Sequence, residues 1–393
     1  MDVTSDLLSR AAIVGLGITE TGKVYGRSAA DFAADAVRLA VADAGLTLAD
    51  LDGLIVAAGL SGGVDIRLAR QLGLHDLGLL SFVAQAGSTA GAQVQLAAMA
   101  IAGGLATTVA IVHADAPLKP AVRSGDAYRR PPGQVATGFA GVAAVTGPRN
   151  ATTGYALAAQ RHMSHYGTTT EQLGAIAVSQ REWATKNPLA RFREPITLAD
   201  HQASRMVASP LHLLDCCMVS NGGIAMVLTT VERAANLPQP PVHLWGWAQT
   251  HPGYRLERGS KWGLESGAAI AGPRAMKMAG ITPADVDVRE LYDCYTYTAL
   301  ITLEDYGFCA KGEGGELAAS GALGPGGSLP TNTGGGQLSS YYLWGMTPLS
   351  EAVIQVRGQG GERQVPRHDV VLVSGNGGVL DHHATLVLGS RPR

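Results

Sequence analysis

Residues 331–346 read TNTGGGQLSSYYLWGM, and residues 290–298 read ELYDCYTYT. The first joins a flexible glycine run, which lets backbone approach a ligand or another chain, to Tyr341 and Tyr342. A phenol with an ordinary pKa of about 10 is not a reagent at neutral pH, but it can give or take a proton as a reaction proceeds. Alternation of faces sends Tyr341 and Tyr342 in different directions, and a lone tyrosine in an α/β protein is ordinarily core or interface. Other reactive types are scattered. Ser88 lies in QAGSTAG, a small-residue turn that opens a helix, where a serine suits the N-cap. His382 and His383 come after a glycine-rich loop in GVLDHHATLVL, and His113 comes after a strand; a hydrogen-bonded structural histidine is the commoner outcome for each. Cys216, Cys217, Cys294 and Cys309 form no CxxC pair with histidine support, so the expectation is reduced, buried thiols and no zinc site. Cys294 lies two residues past Tyr292 on an expected strand, so the two share a face.

The elements that must hold these residues belong to a chain of 393 residues, enough for two lobes or one large α/β domain. With 46% hydrophobic and 16% charged residues, much of its surface must be buried, and a subunit interface is a candidate for part of that burial. A net charge of −2 gives no reason to expect nucleic acid or an acidic membrane as partner. No apolar run reaches the ~18 residues of a membrane span. The start, MDVTSDLLSR, carries acids and no basic leader, so a cytoplasmic enzyme is expected.

One phrase occurs twice. AVADAGLTLADLD at 40–52 and AMKMAGITPADVD at 275–287 agree at seven of thirteen positions. Each copy ends an amphipathic helix at Gly45 or Gly280 and passes a Thr-x-x-Asp cap. Each then enters a strand, at 53–59 and 288–296 respectively. The parallel extends past these strands: a small-residue turn (85–91; 334–340), a helix, and an apolar strand (TTVAIVHA; DVVLVSG). Apolar strands alternating with helices predict buried sheets in a layered α/β fold, here two sheets related by a pseudo-dyad. Roughly 115–240 has no partner copy. It begins with an exposed-looking arginine- and proline-rich loop and continues through two helices to a strand.

These pieces resemble the thiolase superfamily over essentially the whole chain, nearest its sterol-carrier and lipid-transfer branch. The phrases are IVGLGITETG (13–22), GSTAG (87–91), YALAAQRHMSHYGTT (155–169), KNPLARF (186–192), DCCMVSNGGIAMVL (215–228), ELYDCYTYT and NTGGG (332–336). The resemblance implies a five-layered α-β-α-β-α thiolase fold of two halves. These would be 1–240, with a loop insertion at about 115–210, and 241–393. It also implies acyl-CoA substrates and a homodimer. Departures from the family pattern fall on its chemistry. Ser88 matches the nucleophilic cysteine. Tyr342, followed by Leu343 rather than proline, matches the activating histidine. Gly375 in SGNGG matches the second cysteine, and Tyr292 matches the oxyanion-hole Asn or His. A thiolate must carry the acyl group in thiolysis, and none stands at these positions.

The paired tyrosines, with EDYGFC at 304–309, resemble the steroid side-chain-cleaving aldolases of bacteria. That resemblance implies retro-aldol cleavage of a tertiary β-hydroxyacyl-CoA, with Tyr292 and Tyr342 as acid and base. For a short steroid side chain the products would be a 17-ketosteroid and propionyl-CoA. It implies no cofactor in this chain and a small OB-fold, zinc-ribbon partner in an α2β2 assembly, any zinc residing there. Holding a tyrosinate at pH 7 costs roughly 4 kcal/mol. Helix N-termini at 87–91 and 334–340 could lower that; concerted proton transfer needs no tyrosinate. Backbone N–H groups around Ser88 and Gly375 are candidates to hold the enolate, with Asn332, Cys294 and His382 lining the site. Arg123, Arg129 and Arg130 are candidates for CoA phosphates, though arginines in such a loop are usually just solvated. Two other readings remain: an acyltransferase using Ser88 or Cys294, and a non-catalytic lipid or acyl-CoA carrier or scaffold.

Overall fold

The computed structural model describes residues 10–128, 150–253 and 258–393. Its strands are β1 (Ala11–Ile18), β2 (Gly53–Ala58), β3 (Leu79–Phe82), β4 (Thr108–Asp115), β5 (Met206–Ala208), β6 (Leu211–His212) and β7 (Gly222–Thr230). They continue as β8 (Val242–Thr250), β9 (Val288–Glu290), β10 (Val370–Gly377) and β11 (His382–Gly389). The longer helices are α1 (Ala29–Asp43), α2 (Thr89–Ala102), α3 (Ala151–Tyr166), α4 (Thr170–Thr185), α5 (Ala268–Ala279), α6 (Thr296–Asp305) and α7 (Met346–Val356).

The repeated phrase makes the same local structure in both places. Gly45 and Gly280 end α1 and α5 in the left-handed region, at φ +68° and +53°, where a side chain would be strained. Thr47 and Thr282 each donate N–H and hydroxyl at 2.8 Å to the aspartate three residues on, Asp50 and Asp285. The second aspartate of each copy reaches sideways. Asp52 accepts the N–H groups of Thr107 and Thr108, and Asp287 accepts that of Val370. Each therefore fixes the register of the neighbouring parallel strand, which is a physical reason for the two copies to have kept the same residues.

The strands run β3-β2-β4-β7-β1 and then β8-β11-β10-β9. Within each half the pairing is the same. β2 lies parallel to β4 and β9 to β10; β4 is antiparallel to β7 and β10 to β11; β7 is antiparallel to β1 and β11 to β8. The two half-sheets are not separate as expected. They meet edge to edge where Ala12 and Ile13 of β1 pair with His243 and Val242 of β8. Helix α1 covers β1, β4 and β7 from outside, and α5 covers β8 and β11. Between the half-sheets lie α2 and α7, each touching strands of both. Their small and aliphatic side chains, including Ala97, Ala98, Val353 and Leu349, make a dry central layer. This is the layered α/β architecture of the thiolase fold.

The chain between β4 and β7 crosses to the second half and holds the glycine loop. Asn187 donates to the Gly334 carbonyl at 2.8 Å, Arg181 to Ser339 Oγ at 2.8 Å, and the Arg191 and Phe192 N–H groups to the carbonyls of Ser340 and Ser339. The Trp183 indole N–H reaches the Leu323 carbonyl at 3.0 Å. The KNPLARF phrase is therefore a clamp on residues 334–340. Among the described residues, no helix is long and apolar enough to cross a membrane.

Candidate active site

The strand expected at 288–296 stops at Glu290, because the next residues turn to meet the glycine loop. Leu291 N–H donates to Asn332 Oδ1 at 2.6 Å, Tyr292 N–H donates to Ser374 Oγ at 2.8 Å, and α6 begins at Thr296. The glycine loop arrives from the other side. Its Gly336–Ser340 turn is a short π-helix entered through Gly335 at φ +92°. The loop then straightens at Tyr341 and delivers Tyr342, whose N–H donates to Ser220 Oγ at 3.1 Å.

These two routes bring Tyr292 and Tyr342 together, with their hydroxyl oxygens 3.3 Å apart. Tyr292 is 3% exposed and Tyr342 is half-buried. Tyr341 turns away, as the alternation of faces requires, and bonds Ser350 Oγ at 2.9 Å within the central layer. The Tyr292 ring lies against Gly87; a Cβ there would overlap both the ring and the Asn376 carbonyl. Gly375, in β10, packs against the Gly87 turn, and a Cβ on it would stand 2.8 Å from the Gly87 carbonyl and 3.0 Å from Ser88 Cα. Where the family pattern has a second cysteine, glycine here lets the backbone pack closely.

Burial pushes both phenols well above their ordinary range. Cys294 and Tyr155 add to the shift at Tyr292, and Tyr292, Cys217 and Tyr128 add to it at Tyr342. A standing tyrosinate eased by helix ends is thus disfavoured, and proton transfer in step with bond cleavage is the chemistry this pair can do. Burial likewise pushes the Cys294 thiol up to about 12, far from a thiolate at neutral pH. Ser88 is fully buried, makes no capping bond with its side chain, and donates both N–H (3.2 Å) and hydroxyl (2.7 Å) to the Gln85 carbonyl. It is therefore neither an N-cap through its hydroxyl nor a free donor for an enolate.

Other expected site residues separate into roles. Asn332 is buried at φ +52° and stitches the loop to the 289–291 stretch rather than lining a surface. His382 faces His251, Nδ1 to Nδ1 at 3.0 Å, and makes no contact with the tyrosines. His383 is buried and bonded to the Tyr306 hydroxyl at 2.8 Å. His113 stacks on Trp344 with ring centroids 4.8 Å apart, and burial lowers its pKa to about 3, so it is neutral. Arg123 is exposed, and Arg129 and Arg130 lie outside the described residues. Two residues of the site escaped the sequence, Asp293 and Tyr155. Asp293 accepts the Gln337 N–H at the start of the glycine-loop turn. Tyr155, on α3, donates its hydroxyl to the Gly378 carbonyl at 2.6 Å and accepts from Asn376 Nδ2 at 2.7 Å. It thereby fixes the SGNGG turn behind Tyr292. The YALAAQ phrase marked that helix, but nothing local in it singled out the phenol.

A layered, duplicated α/β fold with phenols where the catalytic histidine and oxyanion-hole residue would stand defines a thiolase-type chain without thiolase nucleophiles. Residues 248–390 match the family model described as thiolase C-terminal domain-like. The chain is 39% identical to a steroid side-chain-cleaving aldolase of Thermomonospora curvata, over 95% of this chain and 97% of that protein. It is 38% identical to the 17-hydroxy-3-oxo-4-pregnene-20-carboxyl-CoA lyase of Mycobacterium tuberculosis, over 94% and 97%. The solved Ltp2-ChsH2(DUF35) aldolase superposes with a TM-score of 0.87 at 38% identity, over 98% of both chains. The chain belongs to the thiolase superfamily, in its steroid side-chain-cleaving aldolase branch.

Proposed function

We propose that this protein is a carbon–carbon lyase that cleaves a tertiary β-hydroxyacyl-CoA by a retro-aldol reaction, with Tyr292 and Tyr342 as its acid–base pair. The observation that carries the reading is the contact between the two phenol oxygens at 3.3 Å. In this reaction the tertiary hydroxyl loses a proton, the Cα–Cβ bond breaks, a ketone leaves, and Cα of the thioester enolate gains a proton. The net change is one proton moved from oxygen to carbon. Two neutral phenols in contact can relay that proton without either standing as an anion, which suits their raised pKa values. No acyl-enzyme is required, consistent with the high pKa of Cys294 and the occupied hydroxyl of Ser88.

The activities named for the relatives support a steroid side chain as the substrate class, in the simplest case a 17-hydroxy steroid CoA thioester giving a 17-ketosteroid and propionyl-CoA. The DUF35 component in the name of the solved aldolase supports a small partner protein. We take that partner to be an OB-fold, zinc-ribbon chain in an α2β2 assembly built on a homodimer, in the cytoplasm, with any zinc in the partner and no cofactor in this chain. The deciding experiment is mass spectrometry of products from a tertiary β-hydroxyacyl-CoA steroid, with partner-bound protein, with and without free CoA. Ketone and short acyl-CoA formed without free CoA are expected. Cleavage only of a β-keto substrate, and only with free CoA, would overturn the reading in favour of an acyltransferase. Tyr292→Phe and Tyr342→Phe should each stay folded and lose roughly 10²–10⁴-fold in kcat; undiminished turnover in the double variant would overturn the tyrosine pair, whereas binding without turnover in the unaltered protein would point to a carrier or scaffold.

A further inference from the structure

The two phenols come from separate stretches of chain, and one buried side chain joins those stretches. Asp293, next after Tyr292, accepts the N–H of Gln337 on both its oxygens, at 3.0 and 2.9 Å, and the N–H of Leu338 at 3.3 Å. These amides open the turn that runs on to Tyr342. The carboxylate can come this close only because residue 336 is glycine, at φ +58°; a Cβ there would overlap Asp293 Oδ2. Gln337 carries the brace further. Its side-chain Nε2 donates to the Trp344 carbonyl at 2.7 Å, two residues beyond Tyr342. Tyr342 therefore lies inside a bracket, 337 to 344, tied to the residue next to Tyr292.

We propose that Asp293 is a positioning residue that sets the separation of the two phenols by pinning the start of the Tyr342 loop; the proposal rests on reading Tyr292 and Tyr342 as the acid–base pair. An ionised carboxylate holds amide N–H groups about twice as strongly as a neutral acceptor, so the brace depends on its charge. Burial pushes Asp293 up to about 7 against the pull of the amide bonds. The titratable groups around it are Glu290, Cys217 and Cys294, and from α4 the uncharged Gln180 faces it. Burial raises Glu290 well above the carboxylate range and lifts both thiols, Cys294 to about 12. Asp293 is thus the member of this group that changes charge near neutrality. As pH falls through about 7 it becomes neutral; the brace should then weaken, and kcat should fall while KM holds.

The test is Asp293→Asn, which keeps size and removes the charge, in the partner-bound protein. A loss of about 10–100-fold in kcat is expected, the scale of a sub-ångström to ångström misplacement. KM should stay within about threefold, and the acid limb of the kcat profile should vanish. Crystal structures of the variant should show the phenol oxygens apart by more than about 4 Å, beyond hydrogen-bond reach. A variant that keeps the 3.3 Å contact and wild-type kcat with its pH profile overturns the proposal. If the variant does not fold, wild-type crystals on either side of the pKa carry the same test: an unchanged separation at acid pH overturns it. Tyr292→Phe and Tyr342→Phe are assayed alongside. Retained turnover in those variants removes the reading of the two phenols as the acid–base pair, while the crystallographic separation still decides whether Asp293 positions them.

Discussion

A hydroxyl at Ser88 in a helix-opening turn invites reading as a nucleophile, and the bond it makes answers that reading: it donates to the Gln85 carbonyl and is sealed from solvent. Ser88→Ala should therefore change kcat by no more than about threefold, checked by steady-state kinetics. Cys294 borders the tyrosines, but a thiol near 12 is almost wholly protonated at neutral pH. Incubation with iodoacetamide at pH 7 should leave turnover intact over the time that fully alkylates free glutathione; rapid inactivation traced to Cys294 would restore a thiolate mechanism. Gly87 behaves oppositely. Gly87→Ala forces a methyl into the Tyr292 ring, and overpacking of this kind costs roughly 1–3 kcal/mol. A large loss of kcat together with a lower Tm is expected, because both the ring and the Asn376 carbonyl must move. At this scale the sequence showed the tyrosine pair only through resemblance. The phenols lie fifty residues apart, and the partners that fix them, Tyr155 and Asp293, carry no local pattern that spacing can expose.

The elements divide into those written in local chemistry and those imposed by neighbours. Helix ends at Gly45 and Gly280, their Thr-Asp caps and the apolar strands β4 and β10 were legible because periodicity and capping are local properties. The full extent of the strand expected at 288–296 was not, since its shortening comes from Asn332, forty-one residues away, taking the Leu291 N–H. Two substitutions contrast these cases. Asp285→Ala removes a solvent-facing carboxylate that accepts the Thr282 N–H, and should lower the urea midpoint slightly with no change in kcat. Asn187→Ala leaves the buried Gly334 carbonyl without its 2.8 Å donor, costs about 1–3 kcal/mol, and should also slow turnover because the loop carries Tyr342. Beside that loop, Glu290 shares Thr333 with Glu351, while Arg363 pairs with Glu351 alone. Burial and Glu351 raise Glu290 well above the carboxylate range. The stability it contributes is full below its unfolded pKa of about 4.5 and is lost as pH rises through its folded value. Glu290→Gln should consequently flatten the decline in the urea midpoint as pH rises above about 4.5; an unaltered decline would exclude this carboxyl as its source.

At the scale of the whole molecule, duplication explains why so much was readable: one half supplies a second copy against which the other can be checked. The join between the halves was not readable, because the pairing of β1 with β8 involves only two residue pairs and leaves no mark in composition. That join bears on synthesis. β1 is among the first described residues to emerge, yet its hydrogen-bonding neighbours β7 and β8 begin at Gly222 and Val242. At about 5–20 residues per second, roughly 10–40 seconds pass before β1 has either partner. Through that interval an apolar strand stays open on both edges, a template for pairing with any other nascent chain. Ribosome-bound chains arrested before β7 should therefore recruit holding chaperones, and chains arrested past β8 should shed them.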